Sequence, residues 1–317
     1  MTPLEETVAL DPDTLARRLD RVLSFPVTAF HSDGGLNLDT YRVHLAHQVA
    51  AGPAALFVCC GTGEFFSLDL EEYAACVAAA VEVAAGRVPV VAGVGYGTAL
   101  ARQFAAAAEG AGADGLLVLP PYLVHPDQAG LARHYEAIAA STSLGVLIYQ
   151  RDNAVLTPET VARLAESPGI VGFKDGHGDL DLMQRIVSTV RTRGAELVFL
   201  NGMPTAEMTS AAYRGLGVTT YSSAVFCFAP EVALAYHDAF RSGDTARAHQ
   251  VLDEFYRPYV ELRMRGLGYA VSLVKAAVRL RGLDVGPVRS PLSEPAPEHL
   301  KEMEVLLDRG LRLVGAS

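Results

Sequence analysis

A lysine at the end of an apolar run is the residue of this chain whose placement most suggests chemistry. Ile170-Val171-Gly172-Phe173 leads straight into Lys174, and Asp175-Gly176 turns the chain. Such a run reads as a buried strand. Burying an ammonium disfavours the charged form and lowers the lysine pKa from its usual value of about 10.4. The neutral amine is the form that attacks a carbonyl to make a Schiff base. A lysine that snorkels its amine to solvent is the ordinary alternative.

Other reactive residue types also close short apolar runs. Tyr149 ends Gly145–Tyr149 and is followed by Gln150-Arg151-Asp152-Asn153. A strand-end tyrosine beside a neutral lysine can pass a proton between substrate and imine. Arg151 can hold a carboxylate bidentately, or pair with Asp152. Cys60 opens Gly61-Thr62-Gly63-Glu64. Glycines flanking a threonine free backbone N–H groups and one hydroxyl for a carboxylate, as in a backbone nest, and Glu64 can brace the turn. The same turn can be a plain connection of small residues. Ser222 and Ser223 can bind substrate hydroxyls or cap a helix. His177, three residues past Lys174, reads as a solvated loop histidine. Gly93-Val94-Gly95-Tyr96-Gly97 departs from G-x-G-x-x-G at Thr98. It reads as a glycine-lined pocket floor, not a dinucleotide loop. The nine histidines form no H-x-x-H or H-E-x-x-H array, and no metal site is expected.

These residues need elements to bring them together. Eight strand candidates occur at residues 22–28, 54–60, 89–94, 115–119, 145–149, 170–174, 197–201 and 218–222. Helical stretches at 39–51, 70–85, 98–111, 126–141, 158–166, 180–193 and 204–214 separate them. Eight such βα units imply a parallel sheet closed as a (β/α)8 TIM barrel, an α/β fold of ~250 residues with its chemistry at the carboxyl ends of the strands. An open doubly wound sheet is the alternative fold. Residues 1–20 are expected to form an N-terminal helical extension capped by Asp13 or Thr14, with Leu15 and Leu19 on one face. The barrel is expected over 21–226 and a C-terminal helical region over 227–317, with helices at 229–242, 244–264, 268–281 and 297–313.

Composition excludes several classes. The chain has 317 residues, half of them hydrophobic, and a net charge of -10, which argues against a nucleic-acid surface. No apolar run reaches the ~18 residues of a membrane span. Cys59, Cys60, Cys76 and Cys227 lack metal-ligand spacing and read as reduced core residues. A cytoplasmic protein is expected.

Gly61-Thr62-Gly63-Glu64, Tyr149 and Lys174 lie in the relative positions they occupy in the dihydrodipicolinate synthase/N-acetylneuraminate lyase superfamily, which the chain resembles over about residues 20–315. Within it, five segments resemble a branch that dehydrates and decarboxylates a keto-deoxy aldaric acid: 61–68, 149–154, 172–176, Tyr221-Ser222-Ser223-Ala224-Val225-Phe226 and Gly268–Lys275. The resemblance implies a Schiff-base Lys174, a proton-transferring Tyr149, and Gly61 and Thr62 on the keto-acid carboxylate. It implies a keto-deoxy sugar diacid as substrate, 2,5-dioxopentanoate, CO2 and water as products, no cofactor, and a homo-oligomer, tetramer or dimer. Synthases of the superfamily carry a tyrosine pair after the fourth strand and an arginine five residues past the strand-end tyrosine. Here Pro121-Tyr122-Leu123 keeps one tyrosine, and Ala154 takes the arginine position. A pyruvate-dependent aldolase or synthase is the alternative activity. A barrel that only binds a sugar acid and a nicotinamide oxidoreductase are weaker alternatives.

Overall fold

The computed structural model describes residues 9–316. Eight parallel strands close into a barrel in sequence order: β1 (Leu23–Ser24), β2 (Leu56–Val58), β3 (Val90–Val94), β4 (Gly115–Val118), β5 (Gly145–Gln150), β6 (Ile170–Asp175), β7 (Val198–Asn201) and β8 (Thr220–Ser223). The (β/α)8 expectation holds for every strand position. β1 is far shorter than its apolar run, pairing through Leu23 and Ser24 alone.

The helices are α1 (Pro12–Arg18), α2 (Leu38–Ala50), α3 (Leu70–Ala84), α4 (Thr98–Gly110), α5 (Gln128–Ala139), α6 (Pro158–Ala165), α7 (Leu180–Thr192), α8 (Ser210–Gly215), α9 (Pro230–Ser242), α10 (Thr245–Val251), α11 (Arg257–Arg263), α12 (Tyr269–Leu280) and α13 (Pro297–Leu313). Their starts carry the expected chemistry. Asp69 and Glu72 form a reciprocal capping box on α3, and Asp127, Thr157 and Asp179 cap α5, α6 and α7. The first helix corrects the sequence expectation. Its cap is Asp11, whose carboxylate accepts from the Thr14 amide, and Asp13 lies within the first turn. Two expected helices are broken by other turns. Residues 204–214 hold a 3-10 turn (Ala206–Thr209) before the short α8, and a π-helical turn (Leu252–Tyr256) joins α10 to α11.

Side-chain alternation along the strands divides the core in two. Leu23, Phe57, Val91, Leu117, Leu147 and Leu200 fill the barrel, while Leu56, Ala92, Leu116, Ile148 and Phe173 face the helices. α1 closes the amino end of the barrel with Leu15 and Leu19, both buried. Gly115 and Gly145 make room for it: a Cβ on Gly115 would lie 2.4 Å from Leu15 Cδ2. Beyond β8, α9 lays Tyr236, His237 and Phe240 against Tyr221.

Candidate functional site

Lys174 points into the barrel because β6 carries an extra residue. Val146 pairs with Ile170, but Leu147 pairs with Gly172, so Val171 has no partner of its own. Ile170 faces the helices, and strict alternation from it would send Lys174 outward too. The bulge shifts the phase by one: Phe173 faces outward, and Lys174 faces inward in register with Tyr149.

The lysine amine is held in an apolar, aromatic niche. Its Nζ lies 3.9 Å from the centroid of the Phe25 ring and 4.3 Å from that of Tyr149, and the residue is 4 % exposed. Burial lowers its pKa to about 7, against the opposing effect of the Cys60 thiol and with help from the Arg151 charge. The ring faces favour an ammonium by roughly 0.5–2 kcal/mol. A shift of this size corresponds to more, at about 1.4 kcal/mol per pKa unit, so desolvation wins. Cys60 cannot serve as a thiolate partner, since burial pushes its own pKa up to about 12.

Two glycines give the reactive side chains their seats. A Cβ on Gly202 would lie 2.6 Å from both Cε and Cγ of Lys174, and one on Gly176 would lie 2.8 Å from the Tyr149 hydroxyl. Tyr149 donates its hydroxyl proton to the Gly202 carbonyl at 3.1 Å and accepts from Arg151 Nη1 at 3.5 Å. Burial raises the tyrosine pKa, with Arg151 pulling it back. Arg151 also pairs with Asp152 at 3.2 Å. Asp175 locks the strand end: it accepts from Gln150 Nε2, the His177 and Gly178 amides, and the Tyr213 hydroxyl at 2.5 Å.

A cavity of about 370 Å³ opens above Lys174 at the carboxyl ends of the strands, a size suited to a small ligand. Of the residues singled out in the sequence, Lys174, Tyr149, Gly61, Thr62, Arg151 and Ser222 line it. Three expectations are corrected. Ser223 faces the helices because its neighbour Ser222 faces inward; it is fully buried and its Oγ accepts from the Phe226 amide. Gly63 packs under the turn, where a Cβ would lie 3.1 Å from Pro26 O, and its carbonyl accepts from Thr28. The glycines at 93–97 form no pocket floor. Gly93 instead makes room for the Cys59 carbonyl, which an added Cβ would approach to 2.2 Å. His177 is exposed and lies outside the cavity lining, as read from the sequence. A larger cavity, about 880 Å³, lies at the opposite end of the barrel, lined by α1 and the starts of β6 to β8. It contains none of the strand-end residues.

Glu64 braces the Gly61-Thr62 turn through a partner far along the chain. It adopts left-handed φ of 55° and its Oε1 accepts from Lys275 Nζ of α12 at 2.8 Å, with both side chains fully buried. Its Oε2 accepts from the Arg289 amide at 2.9 Å.

Residues 18–309 match the dihydrodipicolinate synthetase family. The chain belongs to the dihydrodipicolinate synthetase family. A relative from Streptomyces coelicolor named "probable 5-dehydro-4-deoxyglucarate dehydratase 1" is 65% identical over 92% of this chain and 93% of its own length. The crystal structure of dihydrodipicolinate synthase from Bacillus clausii superposes with a TM-score of 0.85 at 26% identity, covering 93% of this chain and 98% of that one. A prophage protein of the same family from E. coli K12, crystallised with pyruvate, superposes with a TM-score of 0.82 at 27% identity over 94% of this chain and 99% of that one.

For this family member, sequence reasoning missed the residues that complete the cavity from other elements. Phe25 follows β1, and Tyr259, Arg263, Ala270 and Val271 come from α11 and α12. A signal existed only for α12, whose Gly268–Lys275 segment was among the resembling stretches. Tyr259 and Arg263, four apart on one helix, gave none, because helical spacing alone does not say which face meets a barrel.

Proposed function

We propose that the chain converts 5-dehydro-4-deoxy-D-glucarate to 2,5-dioxopentanoate, CO2 and water through an imine on Lys174. The observation that carries this reading is the buried Lys174 amine, brought near neutrality by desolvation and lining the cavity beside Tyr149. The 65% identity to a dehydratase-named relative, against 26–27% to the two structures, favours dehydration over the synthase or aldolase alternative.

Lys174 attacks C5, and loss of water gives the imine. The imine nitrogen accepts electrons, so C4–H becomes acidic; its loss gives an enamine that expels the C3 hydroxyl as water. The product is an imine conjugated with C3=C4. Breaking the C1–C2 bond releases CO2 and sends its electron pair through C2=C3 and C4=C5 to the same nitrogen. Protonation at C3 and C4, with loss of the enol proton at C2, gives the aldehyde and restores the imine. Hydrolysis then frees the product and the lysine. One electron sink serves both bond breakages. Tyr149 moves protons at the leaving hydroxyl and the imine, its own proton resting on the Gly202 carbonyl. The Gly61 and Thr62 turn holds the carboxylate next to C5, and Ser222 lies along the C2–C3 region.

Borohydride reduction in the presence of substrate should fix a covalent adduct on Lys174, and Lys174→Ala should lose turnover by at least a thousandfold. Near-normal turnover of that variant, or pyruvate among the products instead of CO2, would overturn the reading.

A further inference from the structure

A six-carbon keto diacid brings two carboxylates to the cavity, and the turn at Gly61 and Thr62 accounts for one. The far carboxylate needs a cation, because a full charge among apolar walls is costly unless paired. Three cationic side chains line the cavity: Lys174, Arg151 and Arg263. Lys174 is consumed by the imine. Arg151 is engaged with Asp152, the only acidic residue of the lining, and with the Tyr149 hydroxyl. Arg263 differs from both. Its neighbours Arg257 and Arg265 pair with Glu261 at 3.0 Å and Glu302 at 2.7 Å. Arg263 has no carboxylate within 4.0 Å among the described residues, and the buried Glu207 carboxyl feels its charge from further off. It is half-buried at the end of α11.

Tyr259 lies one turn before Arg263 on the cavity-facing side of α11, is fully buried, and its hydroxyl has no hydrogen-bond partner among the described residues. The hydroxyls of Tyr41, Tyr73, Tyr135 and Tyr256 are buried without partners as well, so the cavity-side cation is the feature that singles this wall out. A carboxylate offers two oxygens to a guanidinium fork.

We propose that Arg263 binds the carboxylate remote from the imine and thereby selects a dicarboxylic keto acid over a monocarboxylic one. This deepens the dehydratase reading and rests on it. The remote carboxylate is the one that departs as CO2, and its charge drains toward the imine nitrogen as the bond breaks. A guanidinium fixed on it stabilises the bound substrate at least as well as the transition state. The expected effect of losing Arg263 is therefore on KM much more than on kcat.

The test uses two acids that form the imine but have no hydroxyl to expel: 2-oxoadipate, with a remote carboxylate, and 2-oxohexanoate, without one. Each is titrated against the full-length protein, and the adduct trapped by borohydride is quantified by mass. The wild-type protein should half-saturate with 2-oxoadipate at a concentration roughly ten to a hundred times lower, the range of a hydrogen bond to a charged group. Arg263→Gln should bring the two acids to similar half-saturation, and Arg263→Lys should keep part of the preference. Equal half-saturation in the wild type, or a preference that survives Arg263→Gln, would overturn the proposal. An Arg263→Gln protein that traps neither acid leaves Arg263→Lys to decide, with an unchanged preference there counting against a bidentate contact. Absence of any adduct with either acid in the wild type would instead overturn the Schiff-base reading beneath it.

Discussion

The pKa of Lys174 sets expectations for both rate and stability. In the proposed mechanism its neutral form attacks the ketone, so kcat/KM should fall tenfold per pH unit below about 7 and level off above it, until another group intervenes. Stability should follow the same group. Between pH 7 and about 10.5 the unfolded chain holds a proton on this lysine that the native protein lacks, so native stability rises with pH through that window and falls as pH drops back to 7. Below 7 both states are protonated and the effect is constant. Lys174→Met should abolish this slope and be more stable than wild type at neutral pH, by an amount on the order of 4 kcal/mol at 1.36 kcal/mol per unit. Thermal midpoints of the two proteins across pH 6 to 10 check it, and parallel curves would refute it. Gly202→Ala probes placement of the same side chain. The new methyl would lie 2.6 Å from Lys174, whose flexible chain must yield. The expected result is a roughly 100-fold loss of kcat, the scale of a 1 Å displacement of a reacting group, measured by CO2 release.

At the scale of elements, the strand-end residues were legible and their facing was only partly so. Lys174, Tyr149, Gly61 and Thr62 could be read because apolar runs end at them, and a barrel gathers run ends on one face. Ser223 could not be separated from Ser222 without the pairing register, which assigns alternate residues to opposite faces. The bulge at Val171 left no mark in composition, yet it turns Lys174 inward. The brace on the Gly61-Thr62 turn was half legible: Glu64 was read as support, but its partner Lys275 lies in a helix whose docking only tertiary structure reveals. Glu64→Gln leaves the Lys275 ammonium buried without its anion and should cost about 3–5 kcal/mol. Adding Lys275→Met removes the stranded charge and should recover most of the loss. Denaturant midpoints of the single and double variants measure this; additive losses would show that the pair is not coupled.

For the whole molecule, the barrel and its C-terminal helices act as one site. The strands and the turn after β2 supply the amine, the tyrosine, Gly61 and Thr62, while α11 and α12 supply the wall opposite, with Tyr259, Arg263, Ala270 and Val271. That wall could not be read from the sequence, because which helix packs over the mouth depends on chain reversal after β8 and not on any local pattern. The buried pair between Glu64 and Lys275 spans 211 residues of chain. During synthesis, therefore, all eight strands leave the ribosome before Glu64, in the turn after β2, can gain its buried partner. A nascent chain halted short of α12 carries every strand-end reactive group and a Glu64 with no ammonium to meet it.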